Sequence, residues 1–200
     1  MTKDHEIVLS HDPDLKRVLS KNISIEESTR KELESLESPS GEKLMFIDEL
    51  LRDFQDYRWT FDIKEEAAEE CLRILSHKIQ SLGLLDWIHQ KVKFLFWNAK
   101  HEAEILKYFP KAQMYAMESE CRWAAFGIIF KIPFCATPES GKTYGLPPQF
   151  LGLNLFRQKY VDQYHSQKTQ LLGYLPQTKA EAQRALDAGF DEILTDHSFF

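Results

Sequence analysis

Apolar positions along this chain change period repeatedly, and each change predicts a new element. Phe46, Ile47, Leu50, Leu51 and Phe54 recur at helical spacing, which predicts an amphipathic helix. Tyr57 to Ile63 reads Tyr-Arg-Trp-Thr-Phe-Asp-Ile, aromatic and β-branched, and predicts a strand. From Glu65 the period lengthens again, with Leu72, Leu75, Ile79 and Leu82 on one face of a long helix. Val92 to Trp97 predicts the next strand. Asn98 opens a turn into a helix carrying Ile105, Leu106 and Phe109, which Pro110 stops. Ala112 to Ala116 is a weaker strand, followed by a helix through Trp123, Ala124 and Phe126. Prolines and glycines between Pro133 and Pro148 predict a long loop, with a possible strand at Phe150 to Leu153. A helix over Phe156 to Gln167 and a strand over Leu171 to Leu175 follow.

The two ends carry the sharper punctuation. Ile7 to Ser10 predicts a short strand ending at His11-Asp12, where Pro13 halts it. Ser24-Ile25-Glu26-Glu27 has the form of a capping box and predicts a short polar helix. Lys31 to Ser40 is charged and reads as a surface excursion ending at Pro39-Ser40-Gly41. Thr178-Lys179-Ala180-Glu181 is a second capping box; its helix runs to Ala188, with Gly189 as a left-handed cap. Phe190 to Asp196 is then a strand with a polar end.

Strands alternating with helices about every ~30 residues give the rhythm of a parallel α/β sheet. No glycine-rich phosphate loop follows any strand, which removes support for dinucleotide binding and favours a TIM (β/α)8 barrel over an open doubly wound sheet. In a barrel Asp12, Asp62, Asn98 and Asp196 would share one rim, each at the carboxyl end of a strand.

Composition narrows the function. The 200 residues are 43% hydrophobic and 28% charged, enough for a single globular domain over 1–200 with a core. A formal charge of -6 argues against nucleic acid and anionic membrane, which both need a basic face. No apolar run is long enough to span a bilayer, and Met1 to Glu6 lacks a signal segment, so cytoplasmic is the default. Cys71, Cys121 and Cys135 have no CxxC spacing and read as buried thiols. Trp59, Trp87, Trp97 and Trp123 read as core, and Glu65-Glu66 with Glu69-Glu70 as a solvated helix face.

Four segments in order resemble the glycerophosphodiester phosphodiesterase family. Thr2-Lys3-Asp4 through His11-Asp12-Pro13, with Leu15 and Arg17, is similar to its T-K-D-G-x-x-V-x-x-H-D-x-x-L-x-R segment. Gly41-Glu42-Lys43-Leu44, then Ile47, Glu49 and Leu50, resembles its next helix, and Phe61-Asp62-Ile63-Lys64 its E-I-K strand end. Tyr174 to Thr178 and Ala188 to Asp196 resemble the closing W-T-V-N and G-V-D-G-I-I-T-D segments. From about Leu82 to Gln170 the match is one of pattern more than motif.

The resemblance implies a TIM barrel of the phospholipase-C-like phosphodiesterase type that hydrolyses a glycerophosphodiester to glycerol 3-phosphate and an alcohol. It implies His11 as general acid, Lys64 near the phosphate, and Asp62 where the family has a metal-binding glutamate. The cofactor would be Mg²⁺ or Ca²⁺, which prefer hard oxygen ligands. Asp62 is one methylene shorter than that glutamate. The bland alternatives are a rim histidine without a task and an ordinary strand end carrying opposite charges.

The family's H-R-G histidine and E-x-D metal pair precede the T-K-D segment, so relative to the family the first two strands, one histidine and two ligands are expected to be missing. The covering helix after the last strand, at Phe199-Phe200, is expected to be missing too. His101 and His197 are weaker substitutes for the absent histidine. Two functions remain open: the hydrolase, or a non-catalytic remnant or phosphate-binding protein of the same fold. In the second, a homodimer or another partner would cover the open barrel edges.

Overall fold

The computed structural model describes residues 1–132 and 137–198, so Cys135 and the Phe199-Phe200 end lie outside the described residues. The chain divides into two compact units, one of Met1–Val92 with Ala99–Ala112, the other of Lys93–Asn98 with the residues from Gln113 onward.

The first unit is mainly helical. It holds α1 (Lys16–Leu19), α2 (Arg30–Glu34), α3 (Ile47–Asp53), the strand β1 (Trp59–Asp62), a 3-10 turn (Glu65–Ala67), α4 (Ala68–Ser81), α5 (Leu85–Lys91) and α6 (Ala99–Tyr108). Leu15, Leu19, Ile25, Leu33 and Phe46 form a small buried cluster under the first three helices. Arg30 closes it from above: its guanidinium lies 4.5 Å from the centre of the Phe46 ring and donates two bonds to Asp48, at 2.9 and 3.0 Å. Leu72, Leu75 and Ile79 are the buried stripe of α4, as their spacing predicts, whereas Leu82 lies just past the helix and is exposed.

Three expectations change, two in this unit and one that spans both. Residues 7–10 form no strand: Val8 makes an isolated antiparallel bridge to Phe46, with Leu9 N–H donating to Met45 and Ile47 N–H donating to Ile7. The stretch therefore spends its backbone groups on the entry to α3 and joins no parallel sheet. The first capping box stands at Thr29 and Glu32 rather than at Ser24, because Ile25 is buried and Ser24 pairs back to Asp14. Trp59 and Trp87 are half-buried, their indoles donating to the carbonyls of Phe54 and Gln55, but Trp97 and Trp123 are 57% and 59% exposed and belong to no core.

The second unit is a parallel sheet with helices. Its elements are β2 (Val92–Leu95), β3 (Gln113–Tyr115), α7 (Glu118–Phe130), β4 (Lys142–Leu146), β5 (Gln149–Phe150), β6 (Leu153–Asn154), α8 (Gln158–Ser166), β7 (Gln170–Tyr174), α9 (Lys179–Ala188) and β8 (Glu192–Leu194). The parallel order is β2-β3-β4-β7-β8, and β5 and β6 make a small antiparallel hairpin. Strand β4 falls inside the stretch expected as loop.

One sheet face packs Tyr144, Leu146 and Leu171 with Tyr160, Tyr164, Ala185 and Phe190 in a buried core. Gly173 lies on this face because a Cβ there would sit 3.3 Å from that of Ala185. The other face is polar. Registers Lys93↔Gln113, Tyr115↔Thr143, Thr143↔Gln170 and Leu172↔Glu192, with the strand period of two, put Lys93, Tyr115, Thr143, Gln170 and Glu192 on one side. Each comes from a different strand. The Lys93 ammonium donates to Thr143 Oγ1 at 2.8 Å, Gln170 Oε1 at 2.6 Å and Glu192 Oε1 at 2.5 Å, while Tyr115 OH donates to Glu192 Oε2 at 2.7 Å.

Candidate active site

The residues singled out by sequence fall on two short stretches of the first unit. Asp62 is the last residue of β1, and alternation buries Phe61 and Ile63 while turning Asp62 and Lys64 to the opposite face. The Lys64 ammonium donates to Asp62 Oδ2, and the two side chains are 39% and 31% exposed. Lysine and carboxylate at i and i+2 of an extended segment thus meet as the spacing predicts. The 3-10 turn and α4 follow at once and fix where the strand ends.

His11 sits in the bend after the Val8 bridge, strongly exposed, with Nδ1 2.7 Å from Asp12 Oδ1. Arg17, from α1, donates through Nε to Asp12 Oδ2 at 2.6 Å. These bonds, the one from His11 first and then the one from Arg17, hold the Asp12 carboxyl below its ordinary range. An ionised carboxylate only accepts, so Nδ1 carries the proton and Nε2 is the ring atom left for exchange with a substrate. Sequence reading found the His-Asp pair; it missed the bracing by Arg17, which needs the bend at Asp12 and the start of α1 to bring the two together.

The structure brings Asp62 to Lys64 and His11 to Asp12, and it gives His11 no hydrogen bond to Asp62 or Lys64. Of the four expected rim groups, Asp62 ends β1, Asn98 follows β2 and Asp196 follows β8, whereas Asp12 follows no strand. His101 is buried within α6, and His197 lies 3.5 Å from Asp196 beyond β8.

For a divalent cation the donor set is too small. Among the described residues no group of three or more His, Cys, Asp or Glu side chains is arranged to hold a metal, and Asp62 already faces an ammonium. Hard cations take six or more oxygens. The described residues do not fit the cation that the resemblance implies.

The glycerophosphoryl diester phosphodiesterase family model matches residues 1–198. The chain belongs to that family. No curated protein matches it. Among solved structures it is similar to a glycerophosphoryl diester phosphodiesterase domain from Mycobacterium tuberculosis, with a TM-score of 0.76 at 16% identity over 98% of this chain and 82% of that one. It also resembles a glycerophosphodiester phosphodiesterase from Agrobacterium tumefaciens, TM-score 0.71, 11% identity, covering 98% and 79%. A third is an Oleispira antarctica phosphodiesterase in complex with the product sn-glycerol-3-phosphate, TM-score 0.68, 15% identity, covering 100% and 79%. At such identities the likeness establishes the fold: α/β, an incomplete TIM barrel of the glycerophosphodiester phosphodiesterase type. The family is one of phosphoric diester hydrolases, and its model runs through both units. No helix among the described residues is long and apolar enough to cross a membrane.

Proposed function

We propose that this chain hydrolyses small glycerophosphodiesters to glycerol 3-phosphate and an alcohol, residues 1–200 working as one domain in the cytoplasm. The observation that carries this reading is the braced imidazole: His11 held at Nδ1 by a carboxylate, inside a span that matches the family.

Cleavage needs a proton for the departing alkoxide, and an imidazolium can give one. His11 fills that role through Nε2, while Asp12 fixes the ring and balances the imidazolium charge. Lys64 binds a phosphate oxygen. An ammonium has three protons, so it can hold a diester oxygen and Asp62 together. Asp62 keeps the Lys64 ammonium in place, and among the described residues no set of side chains completes a shell for a divalent cation.

The Asp62–Lys64 pair also favours a second reading, a phosphate-binding protein without turnover whose strand edges are covered by a second copy or another partner. Incubation of the chain with glycerophosphocholine and Mg²⁺ or Ca²⁺, followed by ³¹P NMR, separates the two. Glycerol 3-phosphate that appears with wild type and not with His11→Ala supports the hydrolase. Binding of the diester by calorimetry with no product under either cation overturns it in favour of the second reading.

A further inference from the structure

One apolar surface of the second unit is only partly used in its folding: Phe150 packs on the core, while Trp123, Phe130, Leu151 and Leu153 stay exposed. Trp123, Phe126 and Phe130 stand at helical spacing on α7, with ring centres 6.4 Å apart for the first pair and 4.6 Å for the second. Phe150 of β5 faces Trp123 and Phe126 across an open groove of about 530 Å³. Beside it, at the turn between β5 and β6, Leu151 is 70% exposed in a left-handed conformation, φ 49. Leucine at such a position neither packs nor relieves the backbone, where asparagine or glycine would serve better. Leu153 and Phe130 add further exposed apolar area. A contiguous patch of this kind marks a surface that meets something.

Charge selects what it meets. Arg122 at the groove's edge is paired to Glu118 on the next turn of the helix, so the lip is neutral. The chain as a whole carries -6, which opposes an anionic surface. Tryptophan, phenylalanine and leucine around a neutral lip are the side chains that partition into the headgroup boundary of uncharged bilayers. Position agrees: α7 leaves the carboxyl end of β3 and the hairpin leaves that of β4, the end of a parallel sheet where ligands are handled.

We infer that the α7 and hairpin patch seats the protein on a zwitterionic lipid surface. The inference is independent of turnover, because it is read from partition alone. The test is flotation of the full chain with phosphatidylcholine vesicles, and with vesicles to which phosphatidylserine is added. Variants are Trp123→Ser and Leu151→Asn, the second chosen because asparagine suits the left-handed turn. Wild type is expected to float with phosphatidylcholine, and each variant to partition about ten-fold more weakly with an undiminished melting temperature for Leu151→Asn. Three results overturn the inference: no flotation of wild type, flotation only with phosphatidylserine, or a dimer in sedimentation that Trp123→Ser dissociates while vesicles bind neither form.

Discussion

Two lysines set the two halves of this molecule apart. Lys93 is 12% exposed and gives its protons to acceptors on three other strands. Lys64 is 39% exposed, at the end of β1, against a carboxylate two residues away in sequence. Both are ion-paired, yet the consequences differ with the dielectric around them. Around Lys93, loss of the ammonium takes one donor away from Thr143, which is buried, and from Gln170 and Glu192 at once, so the network is a structural commitment. At Lys64, water replaces most of what Asp62 supplies, so the pair contributes little to stability and can be exchanged for a ligand.

Substitutions can break this contrast or sharpen it. The largest effect is expected from Lys93→Met, which removes the shared donor of a half-buried network and should cost about 3 kcal/mol in urea unfolding. Loss below about 1 kcal/mol would put Lys93 in the same class as Lys64. His11→Ala should lower glycerophosphodiester hydrolysis by about 100-fold, with unfolding free energy within about 0.5 kcal/mol of wild type, since the side chain is exposed. Lys64→Met should reduce activity by about ten-fold or more through lost phosphate contact, again with a stability change under about 1 kcal/mol. Raising the salt concentration should mimic part of that loss and leave the Lys93 network intact.

The smallest effect concerns acid. The folded Asp12 carboxyl titrates below its ordinary 3.8, so its contribution to stability is complete above that value and disappears as pH falls through the lower folded one. Asp12→Asn should therefore lower stability slightly at neutral pH, with the difference from wild type vanishing as pH falls through the folded value, which flattens the acid side of the unfolding profile. An unchanged acid limb would show that His11 and Arg17 do not hold Asp12 in solution.

Legibility from sequence followed the range of the interactions. Helix α9 was readable to the residue because its signals are local. Thr178 Oγ1 accepts from Glu181 N–H at 3.2 Å, and Gly189 takes φ 89 as a left-handed cap. Only the partner of the glutamate differed, its carboxylate reaching Gln177 N–H in place of Thr178. Strand β4 was unreadable for the opposite reason. Lys142 and Thr143 look like loop residues until Glu120 and Lys93, 22 and 50 positions away, are brought to them. The opening stretch misled in the reverse sense, its β-branched run being local while its pairing to Phe46 was not. The Asp62–Lys64 pair was legible because it needs only the strand's period of two; the bracing of Asp12 by Arg17 needed the bend and α1 to form first.

The five-strand polar network also has a consequence in time. Its central bond joins residues 99 positions apart, and no subset of strands supplies all of its members. Contacts of that span close after the local helices and neighbouring strand pairs have formed. They strengthen the native state more than the transition state, so they act on the rate of escape from the folded form. In stopped-flow measurements Lys93→Met is then expected to steepen unfolding while leaving refolding nearly as fast, giving a protein that reaches its native arrangement on schedule and lingers there for less time.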